Sequence, residues 1–362
     1  MRVAVDARLV TYQPAGIGNY VLSLLAGLRE VAGPEQIDVL VSRKDDALAD
    51  WVAPMRVRRL WTPPHHRFEQ LALAAEILTL EADVYHAPDF VPPFFRRFPA
   101  VATVHDLAFL RMPELLTPDS HRYYGQVAAA ARNADRIIAV SDCTRRDLID
   151  LVGAPPERID VVHEAADPRY RPLPPDELVD ATLPDDYFLF VGTREPRKNL
   201  PRLLAAYAAL RSRVPDAPPL LLAGRRGWLQ DDLEAQAERL GLGEKTRFLG
   251  GVEPNRLVVL YNRATALVFP SLYEGFGLPA VEAMACGAPV IASTAGSLPE
   301  IVGGAARLVD PLDVDALSRE MEQVWREKAL RAELRERGFA RAAQFSWRRA
   351  AEETLDVYRR AA

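Results

Sequence analysis

The chain has 362 residues, with 45 basic and 50 acidic side chains and a formal net charge of −5. That length suits two domains, each with its own core, and the acidic balance argues against a general nucleic-acid binder, whose surface would be basic. Apolar residues at 49 % and charged residues at 26 % place the chain among soluble globular proteins. The two cysteines, Cys143 and Cys286, are far apart and suggest no disulfide framework, which fits a reducing compartment. No signal peptide or 18-residue apolar run is visible, so a cytoplasmic protein without a membrane span is expected.

Short apolar runs alternate with helical patterns along the first half. Strands are predicted at Arg2–Ala7, Ile37–Val41, Asp83–His86, Ala100–His105 and Arg136–Val140. Helices are predicted at about Ile17–Val31 and around Phe68–Leu80, Ser120–Asn133 and Asp142–Leu151. The pattern breaks at Asp167–Asp185, where Pro168, Pro172, Pro174, Pro175 and Pro184 stand among charges. Proline stiffens the chain and cannot donate to a ladder, so the domain boundary is placed there. This gives a first domain over residues 1–170 and a second over 186–345.

A second alternation follows. Strands are predicted at Tyr187–Val191, Leu220–Ala223, Thr246–Phe248, Ala266–Phe269 and Pro289–Ala292. Helices are predicted at Leu200–Arg213, Asp231–Leu240, Pro254–Asn262 and Leu278–Ala285, and from about Val314 onward. The fold class is therefore α/β, with two doubly wound parallel sheets in tandem. Ligands of such sheets sit at the carboxyl ends of the strands.

The strongest chemical signal is Glu274-Gly275-Phe276-Gly277-Leu278-Pro279-Ala280-Val281-Glu282. It follows a strand and opens a helix. Gly275 and Gly277 let backbone approach a ligand closely. Pro279 suits the first helical turn, whose free N–H groups favour an anion. Glu274 in the loop and Glu282 in the helix could meet one ligand from different sides.

Glu-x7-Glu around Gly-Phe-Gly-Leu-Pro resembles the signature of the family 4 retaining glycosyltransferases of the GT-B fold. The resemblance covers nearly the whole chain. It takes in Val5-Asp6-Ala7-Arg8 and Gly16-Ile17-Gly18-Asn19-Tyr20, typical of the family's mannosyltransferase-like branch. Thr103-Val104-His105-Asp106 and Val140-Ser141 continue it. So do Gly192-Thr193-Arg194-Glu195-Pro196-Arg197-Lys198-Asn199 and Phe345-Ser346-Trp347. It implies two facing Rossmann-like domains that close on the substrates, with the nucleotide sugar held mainly by the second. It also implies a final helix, starting at Trp347 and spanning about 346–362, that joins the first domain.

The remaining candidates follow from residue chemistry and this resemblance together. Arg194 and Lys198 lie on the loop after the first strand of the second domain. Two fixed cations there can neutralise a diphosphate and stabilise the leaving group, and similar enzymes do this without a metal. Positive charge at a helix start opposes the dipole, which disfavours a purely structural role. The resemblance makes Glu282 the ribose ligand and sets Glu274 beside the transferred sugar. It brings the backbone of Phe276–Leu278 near the donor. His105 is read either as a contact to the donor sugar or as a satisfied structural histidine, and Asp106 as a turn cap. Gly16 and Gly18 form either a loop touching the donor or a tight turn. Val21 stands where the third glycine of a dinucleotide fingerprint would be, so an NAD site is disfavoured.

Asp313-Val314-Asp315 is read as a helix cap, and no catalytic metal or cofactor is expected. Arg56, Arg58 and Arg59 lead into Trp61, and Arg96 and Arg97 follow Phe95. These clusters suit either peripheral contact with an anionic membrane or simple solvation. The expected function is hexosyl transfer, mannose favoured, from a nucleoside-diphosphate sugar to a glycan or lipid-linked acceptor. GDP-mannose is the favoured donor, with UDP-sugars open. The alternatives are a UDP-sugar 2-epimerase of the same fold and a non-catalytic nucleotide-sugar-binding subunit.

Overall fold

A computed structural model describes the chain except residues 13–15, 53–54, 116–122 and 228–231, and the side chains of residues 12 and 115. The chain divides into two compact units. Met1–Glu164 and Ser346–Ala362 form the first, and Ala165–Phe345 the second.

The first unit contains β1 (Arg2–Asp6), β2 (Gln36–Ser42), β3 (Arg56–Leu60), β4 (Val84–Ala87), β5 (Ala100–Val104), β6 (Arg136–Ala139) and β7 (Ile159–Val161). They form one sheet in the order β3-β2-β1-β4-β5-β6-β7, with every pairing parallel. β4 and β5 are buried along their whole length. Helices cover parallel sheets on both faces, so central strands read as apolar runs without alternation. The second unit contains β8 (Phe188–Val191), β9 (Leu220–Ala223), β10 (Thr246–Gly250), β11 (Ala266–Phe269), β12 (Val290–Ser293) and β13 (Arg307–Val309). Their order is β10-β9-β8-β11-β12-β13, again all parallel.

The sequence pattern located the central strands of both sheets. It missed β3, β7 and β13, which are all edge strands. β3 carries Arg56, Arg58 and Arg59, and charge on an edge strand blocks unwanted pairing while hiding the apolar signal. β7 and β13 are three residues each, too short for any periodicity to show.

The domain boundary differs from the proline-based expectation. Residues 165–185 belong to the second unit. The Leu173 amide donates to Asn262 Oδ1 at 2.9 Å, and Asn262 Nδ2 returns a bond to the Arg171 carbonyl at 2.9 Å. Tyr170 meets Tyr261 edge-on at 5.7 Å. Prolines remove donors, but this segment gains its hydrogen bonds from a side chain on the helix Pro254–Arg263.

The helix Trp347–Ala361 starts where the motif predicts, with Ser346 accepting from the Arg349 amide at 3.2 Å as its cap. It packs on the helix Ile17–Val31, whose Tyr20, Val21, Leu24, Leu25 and Leu28 form the buried stripe. That spacing is the inward face of an amphipathic helix. Gly27 sits at the closest approach of the two helices. A Cβ there would lie 2.5 Å from the Trp347 carbonyl oxygen and 3.0 Å from Ala351 Cβ. Gly27→Ala should therefore destabilise the first unit by about 1–3 kcal/mol, read as a lower urea midpoint. An unchanged midpoint would mean that the helices separate without cost.

Candidate functional site

In each sheet the strand order reverses direction at one point, between β1 and β4 in the first and between β8 and β11 in the second. Loops leaving the carboxyl ends of such neighbouring strands diverge and leave a crevice for a ligand. In the second unit these are the loop after β8, carrying Arg194–Lys198, and the loop after β11, carrying Glu274–Gly277.

The two loops are joined by ion pairs. Lys198 Nζ lies 2.6 Å from Glu274 Oε1, and Arg197 Nη1 lies 2.8 Å from Glu274 Oε2. Arg197 Nε also meets Glu195 Oε1 at 2.7 Å. Glu274 and Lys198 are both buried. Burial by itself would raise the Glu274 carboxyl, but Lys198 and Arg197 outweigh it and bring the value down to about 2. Glu274 is thus ionised at neutral pH. Burial and the neighbouring Arg197 charge lower the Lys198 ammonium, against the pull of Glu274.

The local backbone explains how these side chains meet. Pro196–Lys198 forms a single 3₁₀ turn, and Asn199 ends it in the left-handed region at φ 61°. A non-glycine residue there is held by its surroundings. Asn199 Nδ2 donates to the Pro270 carbonyl at 3.0 Å and the Pro311 carbonyl at 2.7 Å. The Leu272 amide donates to the Arg197 carbonyl at 2.7 Å. On the other side, Ser297 donates its amide to the Glu274 carbonyl at 3.0 Å and its hydroxyl to the Phe276 carbonyl at 2.9 Å. A Cβ on Gly296, at φ 61°, would lie 2.6 Å from the Glu274 carbonyl oxygen. Gly277 is also left-handed, at φ 101°, and directly precedes the helix Leu278–Cys286. Gly275 and Phe276 are buried, and Phe276 lies edge-on to Phe345 at 5.6 Å.

Arg194 is placed elsewhere. Its backbone forms a parallel bridge with Arg226 beyond the strand ends. Its guanidinium pairs with Glu234 and lies 5.3 Å over the Phe248 ring. The cation that joins Lys198 at Glu274 is Arg197. It lies in the same motif, but the sequence reading selected Arg194 in its place. Strand pairing that runs past Val191 carries the Arg194 side chain toward β10, and only the three-dimensional pairing reveals this.

Glu282 lies one turn into the helix Leu278–Cys286 and accepts from the Tyr261 hydroxyl at 2.8 Å. Burial raises its carboxyl to about 7. The Tyr261 hydrogen bond pulls against that rise, and Asp167 adds to it. Tyr261 was not singled out from sequence, since a tyrosine in an amphipathic helix reads as core.

The sequence candidates of the first unit stand on their own sheet. Gly16 takes φ 60° and precedes the helix Ile17–Val31, with Gly18 buried in its first turn. The Gly16 carbonyl accepts from the Tyr20 amide at 3.0 Å. His105 follows β5, and both of its ring nitrogens are engaged by protein groups: Glu164 at 2.9 Å and the Pro88 carbonyl at 2.8 Å. Asp106 accepts from the Ala108 amide at 3.0 Å, the turn-capping role expected of it. Asp313 accepts from the Ala316 amide at 2.8 Å, as the helix cap it was read to be. Among the described residues no group of three or more His, Cys, Asp or Glu side chains could hold a metal ion.

Two family models match the chain. One, described as "Glycosyl transferases group 1", covers residues 180–341, and the other, "Glycosyltransferase Family 4", covers residues 14–170. The O-antigen chain mannosyltransferase B of Escherichia coli is 35% identical over 99% of this chain and 100% of its own length. The chain belongs to the family 4 glycosyltransferases.

This glycosyltransferase is also 29% identical to the serotype-specific mannosyltransferase WbdA of Escherichia coli, over 89% of this chain and 42% of that one. Among solved structures, sucrose-phosphate synthase from Thermosynechococcus elongatus superposes with a TM-score of 0.80 at 25% identity, covering 99% and 98% of the two chains. Anabaena HepE, solved with UDP and glucose, superposes at 0.77 with 22% identity over 99% and 100%. The fold is thus GT-B, and the enzyme is a hexosyltransferase.

The raised Glu282 carboxyl has a consequence for stability. A group whose folded pKa exceeds its unfolded value stabilises the fold below the unfolded value, about 4.5, and loses that contribution as pH rises through about 7. Between pH 5 and pH 8 the wild type should lose on the order of 1–3 kcal/mol more stability than Glu282→Gln. Urea midpoints measured across that range check this. Parallel slopes for the two proteins would contradict the raised carboxyl.

Proposed function

We propose that this hexosyltransferase moves mannose from GDP-mannose to a glycan or lipid-linked acceptor, with retention of configuration and without a catalytic metal. The observation that carries the chemistry is the Lys198–Glu274–Arg197 cluster at the switch point of the second sheet. The mannosyl choice is supported by the names of the Escherichia coli relatives, and the name of the first supports a glycan chain as acceptor.

A nucleoside diphosphate entering this crevice presents its phosphates to Lys198 and Arg197. Fixed ammonium and guanidinium groups stabilise the charge that grows on the leaving oxygen, the task a metal serves in other phosphate sites. They need no rearrangement at the moment of reaction. Glu274 stays ionised, so it serves as a hydrogen-bond acceptor for hydroxyls of the transferred sugar and not as a general acid. Glu282, with Tyr261 fixing one of its oxygens, accepts from the ribose hydroxyls. The amides at Gly275–Leu278, ahead of a helix, add donors for the phosphates or the sugar.

Glu274 is held by two cations, which lowers its nucleophilicity and favours front-side displacement over a glycosyl-enzyme intermediate. The C1–O bond to the diphosphate breaks, and a C1–O bond to the acceptor forms on the same face. The acceptor proton passes to the departing phosphate oxygen. In the first unit, exposed Trp61 (71%) and Phe95 (67%), with Arg43 stacked 3.5 Å over Trp61, favour peripheral contact with an anionic membrane. Among the described residues no helix is long and apolar enough to cross one.

Thermal stabilisation by GDP, UDP, ADP and dTDP, with and without EDTA, tests the donor assignment. GDP should raise the melting temperature most, and EDTA should leave the shift unchanged. A larger shift with UDP would reassign the donor base, and the HepE structures with UDP and UDP-glucose make UDP the chief comparison. A shift abolished by EDTA would overturn metal independence. In acceptor-dependent turnover, Lys198→Ala and Arg197→Ala should each lose about 100-fold or more, whereas Arg194→Ala should stay within about fivefold. The reverse ranking of the two arginines would return the diphosphate to Arg194.

A further inference from the structure

Ser271 is the second residue beyond β11, and its side chain is fully buried. The backbone around it is held from three strand ends. The Ser293 hydroxyl, at the end of β12, donates to the Ser271 carbonyl at 2.6 Å. On the side of β8, Asn199 Nδ2 donates to the Pro270 carbonyl, and the Leu272 amide donates to the Arg197 carbonyl. The place of the Ser271 hydroxyl is therefore set before any ligand arrives.

That hydroxyl is the exception in an otherwise satisfied turn. Among the described residues, no group meets Ser271 Oγ with the distance and angle of a hydrogen bond. A buried hydroxyl left unpaired costs stability, because water satisfies it in the unfolded chain. The charged group beside it is Glu274, three residues further on. Burial raises the Glu274 carboxyl, Lys198 and Arg197 bring it down, and the Ser271 hydroxyl adds a smaller pull in the same direction. Ser271 thus lies next to the carboxylate without closing a full bond to it. Both carboxylate oxygens are already engaged, Oε1 by Lys198 and Oε2 by Arg197, and Arg197 divides its charge with Glu195.

Under the proposed function this balance changes when the donor binds, because its diphosphate draws Lys198 and Arg197 toward the phosphates. A buried carboxylate that loses its cations takes up a proton unless another donor holds its charge. We propose that Ser271 is a positioning residue for sugar transfer: its hydroxyl closes on Glu274 when the donor diphosphate engages Lys198 and Arg197, and it keeps the carboxylate ionised and aimed at the sugar. The closure needs only side-chain rotation, since the backbone of the turn is already fixed. The inference rests on the proposed function, which supplies the diphosphate. It also accounts for the unpaired hydroxyl of the resting site, where stability gives way to function.

Ser271→Ala removes one oxygen and leaves the packing of the turn in place. In acceptor-dependent turnover of the full-length enzyme, it should lose roughly tenfold in kcat, the worth of a hydrogen bond to a charged group, with KM for the donor within about threefold. The acid limb of kcat reports groups of the enzyme–donor complex. It should move to higher pH by about one unit, because a carboxyl that loses a donor is raised. Lys198, Arg197 and Glu195, the charged groups that face Glu274 from the loop after β8, are intact in this variant. The urea midpoint of the resting protein should be unchanged or higher, since no bond is lost there. Ser271→Thr, which keeps the hydroxyl, should keep the wild-type acid limb. An unmoved acid limb in Ser271→Ala overturns the proposal, as does a kcat within about twofold of the wild type. A lower urea midpoint also overturns it, because the hydroxyl would then be serving the resting fold. A wild type that transfers no sugar from any nucleotide donor overturns the proposed function and this inference with it, whereas a wild type that transfers beside an equally active Ser271→Ala overturns this inference alone.

Discussion

A buried carboxylate held between two cations is the interaction on which the second unit's site depends. Glu274 takes Lys198 on one oxygen and Arg197 on the other, and so fastens the loop after β11 to the loop after β8. Bringing such charges out of water is costly, and the arrangement persists only with good geometry and further hydrogen bonds. Those bonds come from the left-handed Asn199, from the backbone link between Leu272 and Arg197, and from Ser297. Removing one member leaves the others charged and buried without compensation, which costs more than the cluster adds to stability. A site built this way is better suited to receiving an anion than to stabilising the fold. Under the proposed function an incoming diphosphate would give Lys198 and Arg197 new partners and free Glu274 to accept from sugar hydroxyls.

The second unit places its two carboxylates in different electrical settings. Glu274 is driven down by cations, and Glu282 is driven up by burial against the pull of the Tyr261 hydroxyl. Both came from one nine-residue motif, and the motif carries no hint of the difference. The neighbours that set the two values, Lys198, Arg197 and Tyr261, come from other elements. The first unit repeats the theme with histidines. Against the pull of burial, Glu164 holds the His105 ring above the ordinary histidine value, and burial with the neighbouring His105 pushes His86 down to about 3.

Several residues of the candidate site were readable without coordinates, and others were not. Glu274, Lys198 and the glycines around Phe276 stand in a dense local pattern whose chemistry needs only strand–loop–helix context. Arg197 was within reach but passed over, because a loop drawn as a string does not say which arginine turns toward the acid. Glu164 and Gly296 left no local signal. One is a lone acid after a three-residue edge strand, and the other a glycine in a turn, and their importance comes from what approaches them across the fold.

By itself, the sequence determined the alternation of apolar strands and amphipathic helices, and with it two parallel α/β sheets. It also determined the contiguous Glu274–Glu282 motif and the start of the last helix at Trp347, because these are periodic or contiguous properties of the chain. The tertiary structure alone decided the charged edge strand β3, whose arginines mask its apolar face, and the docking of residues 165–185 on the second unit through Asn262. It alone also decided that Arg197 joins Lys198 at Glu274 and that Glu164 faces His105. The physical reason is common to all of these. Strand pairing, ion pairing and ring protonation depend on groups far apart in the chain, and only folding brings them within a few ångströms.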